Sequence, residues 1–105
     1  MDYKIIFAPS AIEDLRAIVV YVAADRAEAA GRLGHALIDA TKPLATFPLL
    51  GRIVPEFDNP TIRELVLKPF RIIYRIDESN RVVGIVRFWH AARGYLGAGD
   101  ITNDF

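Results

Sequence analysis

Apolar residues recur with the period of an α-helix in the first half of the chain and with that of a β-strand in the second half. A short strand-like run, YKIIFA at residues 3–8, precedes the first helical stretch. That stretch begins at Ser10 with the capping sequence Ser-Ala-Ile-Glu. Its apolar residues recur every three or four positions, at Ile12, Leu15, Val19 and Val22. We expect this stripe to face the core.

A second helical stretch follows a possible capping sequence at Asp25. Its apolar residues again recur every three or four positions, at Leu33, Leu37, Ala40, Leu44 and Phe47. Pro43 lies inside this pattern, and proline has no backbone N–H to donate within a helix. We therefore predict that the regular helix ends near Lys42 and that a short turn restarts at Pro43. A loop rich in turn residues runs on to about Pro60.

Three strand-like runs fill residues 62–90, with the sequences IRELVL, FRIIYRID and RVVGIVRFWH. The breaks between them, at Lys68-Pro69 and at residues 78–80, are too short for a crossover helix, so the strands should be antiparallel. The predicted class is therefore α+β, in the order β-α-α-β-β-β, with an antiparallel sheet packed on a helical hairpin. The glycine-rich tail after Tyr95 is expected to be flexible.

Composition narrows the class of protein. With 105 residues, 52% of them hydrophobic and 25% charged, residues 1–105 should form one compact domain. The absence of cysteine excludes thiolate zinc sites and cysteine nucleophiles, and no nucleotide-binding, zinc-protease or esterase motif occurs. We expect neither a metal nor a cofactor. No signal peptide and no apolar run near the ~20 residues of a membrane span is evident, so we expect a cytoplasmic protein.

The formal net charge is zero, yet the positive charge is concentrated in the last third of the chain. Only Glu64, Asp77 and Glu78 oppose seven cations between residues 61 and 95. These cations are Arg63, Lys68, Arg71, Arg75, Arg81, Arg87 and Arg93. Strand alternation places Phe70, Ile72, Tyr74 and Ile76 on one face and Arg71, Ile73, Arg75 and Asp77 on the other. The helices should cover the first face.

The final strand alternates less clearly. One set comprises Val82, Val86, Phe88 and His90, and the other comprises Val83, Ile85, Arg87 and Trp89. Because both sets are largely apolar, we expect this strand to be covered on both sides over part of its length. We assign Arg87 to the arginine face by its charge alone. This face is either a solvated surface held by cross-strand ion pairs or a site where guanidinium groups bind a phosphate or carboxylate.

His90 is the second candidate for chemistry near neutral pH. At the end of a strand, its simplest role is that of a structural hydrogen-bonding residue. The alternative is a general base that, with Arg87, Arg93 and Tyr95 nearby in sequence, cleaves single-stranded RNA. Spacing alone does not separate these two roles.

Several segments together resemble the RelE/ParE superfamily of bacterial type II toxins. They are APSAIEDLRAIVVYVA, FPLLGRIVPEF, IRELVLKPFRIIYRID and IVRFWHAAR, and the resemblance spans about residues 3–93. It implies a toxin that inhibits growth, contributes to plasmid stabilisation and is neutralised by a small acidic antitoxin encoded in the adjacent reading frame. The antitoxin would cover the basic face, with its leucines against Ile73 and its acids on the guanidinium groups. The residues expected to bind antitoxin or target are Arg63, Lys68, Arg71, Ile73, Arg75, Arg87 and Arg93.

The resemblance leaves three functions open. ParE-like members poison DNA gyrase by binding it, and the FPLLGR and LVLKPFRIIYRI segments look more like this type. RelE-like members cut mRNA on the ribosome as endoribonucleases, and the matching catalytic positions would be Arg71, Arg75, Arg87, His90 and Tyr95. The small number of lysines and the zero net charge favour the ParE-like reading. The third function is that of an inactive relative that only binds an antitoxin.

Overall fold

The computed structural model describes residues 2–101 and has the predicted α+β architecture. Its helices are α1 (Pro9–Ala23) and α2 (Ala27–Thr41), and its strands are β1 (Lys4–Phe7), β2 (Arg52–Ile53), β3 (Ile62–Leu67), β4 (Phe70–Asp77) and β5 (Val82–His90). The strands form one sheet in the order β1-β5-β4-β3-β2. Strands β3, β4 and β5 pair antiparallel as predicted, and β2 also pairs antiparallel with β3. Strand β1 runs parallel to β5, so the sheet is mixed. The two-residue β2 is an addition to the predicted order.

Helix α1 starts and faces differently from the expectation. Ala8 is its N-cap residue and Pro9 occupies the first turn, where proline needs no N–H partner. Ser10 lies in the first turn and not at the N-cap position, and its hydroxyl donates to the carbonyl of Val86 at 2.7 Å. The buried stripe contains Ala11, Leu15 and Ile18, while Ile12 is 49% exposed. The predicted stripe was therefore wrong at Ile12, because the helix is rotated about one residue toward Ala11.

Helix α2 ends as predicted, since Thr41 is its last residue and a 3₁₀ turn, Lys42–Ala45, includes Pro43. Its start differs, because Arg26 is the N-cap residue and no side chain caps the helix. Leu37 and Leu44 are fully buried, whereas Phe47 at the end of the predicted stripe is 62% exposed. Phe47 lies beyond the 3₁₀ turn, where the chain is no longer helical.

The main core lies between the helices and one face of the sheet. Phe70, Ile72, Tyr74 and Ile76 pack there against Leu37, Leu44, Val83, Ile85 and Phe88. The prediction that the helices cover this face of β4 is therefore confirmed. Within residues 2–101, no helix has the length and apolar character needed to cross a membrane.

A second, smaller core covers the opposite face of the sheet. It contains Val54, Ile62, Ile73, Trp89 and Leu96, with Phe57 and Ile101 packed against it. Ile73 is 0% exposed, so the expectation that it offers an exposed docking position for antitoxin leucines is wrong. The loop before β3 and the C-terminal segment supply the cover that strand alternation alone did not reveal.

The pairing of β4 with β5 contains a register shift. Ile73 pairs with Arg87 and Tyr74 pairs with Ile85, so Val86 is an extra residue in β5. Ile85 consequently shares the helix-covered face with Phe88, and the two alternating sets predicted for β5 are wrong across Val86. Arg87 nevertheless lies opposite Ile73 on the arginine face, as its charge suggested. The prediction that β5 is covered on both sides is confirmed.

The segment that follows β5 folds back onto the second core. Leu96 is 5% exposed, and the Trp89 indole Nε1 donates to the carbonyl of Gly94 at 3.0 Å. Gly94 has a φ of +84°, which suits glycine because it has no Cβ. Within the tail that was expected to be flexible, Leu96 and Ile101 thus pack on the second core, and the last four residues of the tail lie outside the described part of the chain.

Candidate functional site

Arg71 lies at the centre of an ion-pair network on the arginine face. Its Nη1 and Nη2 donate to the two carboxylate oxygens of Glu56 at 2.7 and 2.8 Å, and its Nε donates to Glu64. Arg52 donates from Nε to the other oxygen of Glu64 at 2.6 Å, and the Glu64 side chain is 0% exposed. Glu56 also accepts from the backbone N–H of Leu96 at 3.0 Å. All three nitrogens of the Arg71 guanidinium are thus already bonded within the chain.

The protonation of this network is fixed by its hydrogen bonds. Hydrogen bonding from Arg71 lowers the pKa of Glu56 from 4.5 to about 2, although burial opposes the shift. Hydrogen bonding to Glu56 and Glu64 raises the pKa of Arg71 further above its already high value, again against burial. Glu56 and Arg71 are therefore both charged at neutral pH.

A pH dependence of stability follows from the lowered pKa of Glu56. A carboxyl group with a depressed folded-state pKa stabilises the fold above its unfolded value of 4.5, and this contribution is lost as the pH falls toward about 2. The shift corresponds to up to about 3 kcal/mol. Urea unfolding should therefore show that the stability difference between wild type and Glu56→Gln is largest above about pH 5 and shrinks in more acidic buffer. A difference that stays constant down to about pH 3 would contradict this assignment, and Glu78→Gln, at an exposed turn position, is the matched control.

Arg87 is held by a second network that joins distant parts of the chain. Its Nε and Nη2 donate to the two carboxylate oxygens of Asp14 at 2.6 and 2.8 Å, and its Nη1 donates to the carbonyl of Asp100 at 3.1 Å. Asp14 also accepts from the backbone N–H of Phe88 at 3.1 Å. The Asp14 hydrogen bonds raise the pKa of Arg87, opposed by burial. This network fastens α1 and the C-terminal segment to β5.

In the part of the chain that the structure describes, the other cations of the predicted site are not paired with carboxylates in the way that Arg71 and Arg87 are. Arg75 lies opposite Gly84, and within residues 2–101 its buried Nε has no hydrogen-bond partner. Arg63 donates only to the carbonyls of Pro60 and Gly51. Arg93 lies over the Trp89 ring at 4.0 Å, and Lys68 is exposed between β3 and β4. The predicted cations are therefore partly neutralised, and among the described residues neither Arg75 nor Arg63 has an acidic partner.

The residues suggested for RNA cleavage lie in two different places. Tyr95 is 90% exposed and borders a pocket of about 370 Å³ with Arg52, Glu56 and Arg71. His90 lies outside that pocket, where its Nδ1 accepts from the backbone N–H of Ala92 at 3.0 Å and its ring meets Phe70 edge-on at 5.2 Å. Both contacts join His90 to its own surroundings at the end of β5.

An apolar groove of about 490 Å³ lies between α1 and the ends of β4 and β5. It is lined by Asp14, Ala17, Ile18, Tyr21, Val22, Leu33, Pro69, Phe70, Phe88, His90 and Arg93. Tyr21 is 83% exposed at its edge. The periodicity of α1 gives one signal for this groove, because Ala17 and Tyr21 form an apolar row outside the predicted core stripe. Among residues 2–101, no cluster of side chains is suited to hold a metal ion.

Comparisons with known proteins agree with the fold. The family model described as the ParE toxin of the type II toxin–antitoxin system parDE matches residues 5–95. No curated protein sequence matches the chain. Similar solved structures include a chromosomal ParDE system from P. aeruginosa, with a TM-score of 0.71, 23% identity and coverage of 84% of this chain and 95% of that one.

Two further structures share the fold at low identity. One is the toxin–antitoxin complex RelBE2 from Mycobacterium tuberculosis, with a TM-score of 0.65, 23% identity and coverage of 86% of this chain and 99% of that one. The other is a mutant of the E. coli toxin RelE in the free state, with a TM-score of 0.59, 15% identity and coverage of 90% and 88%. The resemblance seen in the sequence is confirmed. The chain belongs to the ParE toxin family of type II toxin–antitoxin systems.

Proposed function

We propose that this protein arrests growth by binding DNA gyrase and that it has no hydrolytic activity of its own. The observation that carries the proposal is the internal pairing of Arg71 and Arg87, each bonded to a carboxylate through two nitrogens. Cleavage of a phosphodiester requires preorganised donors that face the developing negative charge. Guanidinium groups whose charge is already paired with carboxylates of their own chain are poorly suited to supply them, whereas binding to a protein target does not require them. The family match supports the same choice.

The endoribonuclease alternative has less support. It needs His90, Tyr95 and the arginines to converge on one phosphate, whereas His90 and Tyr95 border different cavities. The chain also has zero net charge and only three lysines. A protein that binds ribosomal RNA gains affinity from a positive excess, because phosphate contacts dominate such binding.

We also propose that a cognate antitoxin occupies the apolar groove beside α1. Antitoxins accompany the toxins in the ParDE and RelBE2 structures that this fold resembles. An amphipathic segment fits a groove lined by Ile18, Phe70 and Phe88, and its acidic residues can approach Arg93 at the rim. This surface replaces Ile73 as the docking position for apolar antitoxin side chains, because Ile73 is fully buried. The protein would act in the cytoplasm.

The test is expression of the protein without the product of the adjacent reading frame. We expect growth arrest with gyrase-linked DNA breaks, and purified protein should inhibit supercoiling by gyrase. His90→Ala and Tyr95→Ala should each retain toxicity within about twofold, since a contribution to general acid–base catalysis would be about 10²-fold or more. Circular dichroism checks that both variants fold.

Other outcomes identify the alternatives. Codon-positioned cuts in mRNA on translating ribosomes, lost in His90→Ala or Tyr95→Ala, would replace gyrase poisoning with RelE-like cleavage. Normal growth despite soluble, folded protein would show an inactive relative that only binds an antitoxin.

A further inference from the structure

We infer that the loop Phe47–Leu50 is the surface through which this toxin contacts its protein target, an inference that rests on the proposed function. The side chains of Phe47, Leu49 and Leu50 are 62%, 61% and 57% exposed. Scattered exposed apolar residues are ordinary on a protein surface, but a contiguous apolar patch marks an interaction site. Here three of four successive residues are large, apolar and exposed.

The loop is held rigidly by the sheet beneath it. The buried Tyr74 hydroxyl accepts from the Gly51 N–H at 2.9 Å and donates to the carbonyl of Pro48 at 2.7 Å. Burial raises the pKa of Tyr74, so the phenol stays protonated and able to donate. Within the loop, the Leu50 N–H donates to the carbonyl of Phe47 at 3.0 Å. A fixed loop presents its side chains without a large ordering cost on binding.

Gly51 allows the loop to approach β3 closely. A Cβ at this position would lie 2.4 Å from the backbone oxygen of Glu64 and 2.7 Å from the Tyr74 hydroxyl. Any other residue would push the loop away from the sheet. The position of the exposed apolar side chains thus depends on the Tyr74 hydroxyl and on Gly51, which are both buried.

The border of the loop indicates the charge of the partner. Arg52 is 62% exposed, whereas its carboxylate partner Glu64 is fully buried, so the charge presented to solvent there is positive. Arg63 binds the carbonyl of Gly51 and, in the described part of the chain, has no acid within ion-pairing distance. Glu78, which lines a hollow with Leu49 and Arg63, is an acidic residue at the same border. A complementary partner offers an apolar depression bordered by carboxylates.

The position of the loop separates it from the apolar groove. Leu49 lies beside Ile76, near the end of β4, whereas the groove includes Phe70 at the start of the same strand. Six residues of strand span roughly 20 Å. An antitoxin segment in the groove therefore leaves the loop open. Two copies of this chain meeting through their loops would bring the Arg52 and Arg63 borders together, which disfavours self-association.

The experiment measures binding of purified protein to DNA gyrase together with growth arrest and antitoxin affinity. We expect Leu49→Ser combined with Leu50→Ser to weaken gyrase binding at least tenfold and to relieve growth arrest. Tyr74→Phe, which leaves the apolar side chains but removes the anchoring hydroxyl, should weaken binding about threefold. Antitoxin affinity should change less than twofold in both variants. Val20→Ser, at a 64% exposed position on α1, is the matched control and should behave as wild type.

Each other outcome has a definite meaning. Unchanged gyrase binding and toxicity in the double variant would overturn the inference. Loss of antitoxin affinity in the double variant would also overturn it and would assign the loop to the antitoxin. If wild type forms a dimer that the double variant does not form, the loop is instead a contact between two copies of this chain. If wild type arrests growth without binding gyrase, the proposed target is wrong, and the effect of the double variant on growth alone decides the role of the loop. If wild type does not arrest growth, the proposed function fails and the inference fails with it.

Discussion

Replacing Glu64 with alanine is expected to lower the free energy of unfolding by about 3–5 kcal/mol, because it removes one member of a buried ionic network. The Glu64 side chain is fully buried and bonds both Arg71 and Arg52. Without it, the Arg71 Nε, in a side chain only 13% exposed, loses its partner and cannot be rehydrated freely. Arg52 is 62% exposed and can turn to water, so Arg71 carries most of the loss. Urea unfolding followed by circular dichroism measures the change.

Two variants sharpen this measurement. Glu64→Gln keeps the size and one acceptor oxygen but removes the charge, so it should fall between wild type and Glu64→Ala. Glu78→Ala changes an exposed acid at the β4–β5 turn and should lie within about 0.5 kcal/mol of wild type. A loss below about 1 kcal/mol for Glu64→Ala would show that Glu56 alone satisfies Arg71.

Replacing Asp14 with asparagine is expected to cost about 2–4 kcal/mol, as the second largest effect on stability. Asp14 and Arg87 are 11% and 14% exposed in their side chains, and the carboxylate also accepts from the Phe88 N–H. Asparagine retains one oxygen for hydrogen bonding but loses the charge and the two-pronged pairing with Arg87. Because this pair joins α1 to β5, hydrogen exchange should also become faster at both elements.

The chain contains a suitable control for the Asp14 variant. Asp39 pairs with Lys42 at 2.9 Å on the surface, where the two side chains are 63% and 73% exposed. Asp39→Asn should change stability by no more than about 0.5 kcal/mol, because exposed ion pairs contribute little. Equal losses for Asp14→Asn and Asp39→Asn would refute a special role for the buried pair.

Periodicity predicted the elements of this fold well because each element carries its own pattern. Alternation in β4 identified the face that the helices cover, and Pro43 located the end of α2. The second core was not predictable in this way, because Leu96 reaches it through a segment with no regular period. Nor was the register shift at Val86, which sequence alternation treats as an ordinary strand position.

The carboxylate partners of Arg71 and Arg87 could not be predicted either, because they are distant in sequence or lie in irregular structure. Arg87 and Asp14 are 73 residues apart in sequence, and Glu56, the partner of Arg71, lies in a loop of irregular structure. Charge counting over residues 61–95 correctly found the cations but excluded Asp14 and Glu56, which lie outside that window. Only the tertiary structure shows which guanidinium groups are free to bind a partner. Because Arg71 is paired and Ile73 is buried, the candidate binding surfaces are now the apolar groove and the Phe47–Leu50 loop.

The parallel pairing of β1 with β5 sets an order of events during biosynthesis. Lys4 lies opposite Val82, so β1 has no partner in the sheet until β5 has been translated. Contacts between such distant positions form slowly, since a long loop must close before they are made. A nascent chain therefore cannot complete its sheet before β5 has left the ribosome, so β1 and β5 join late in folding.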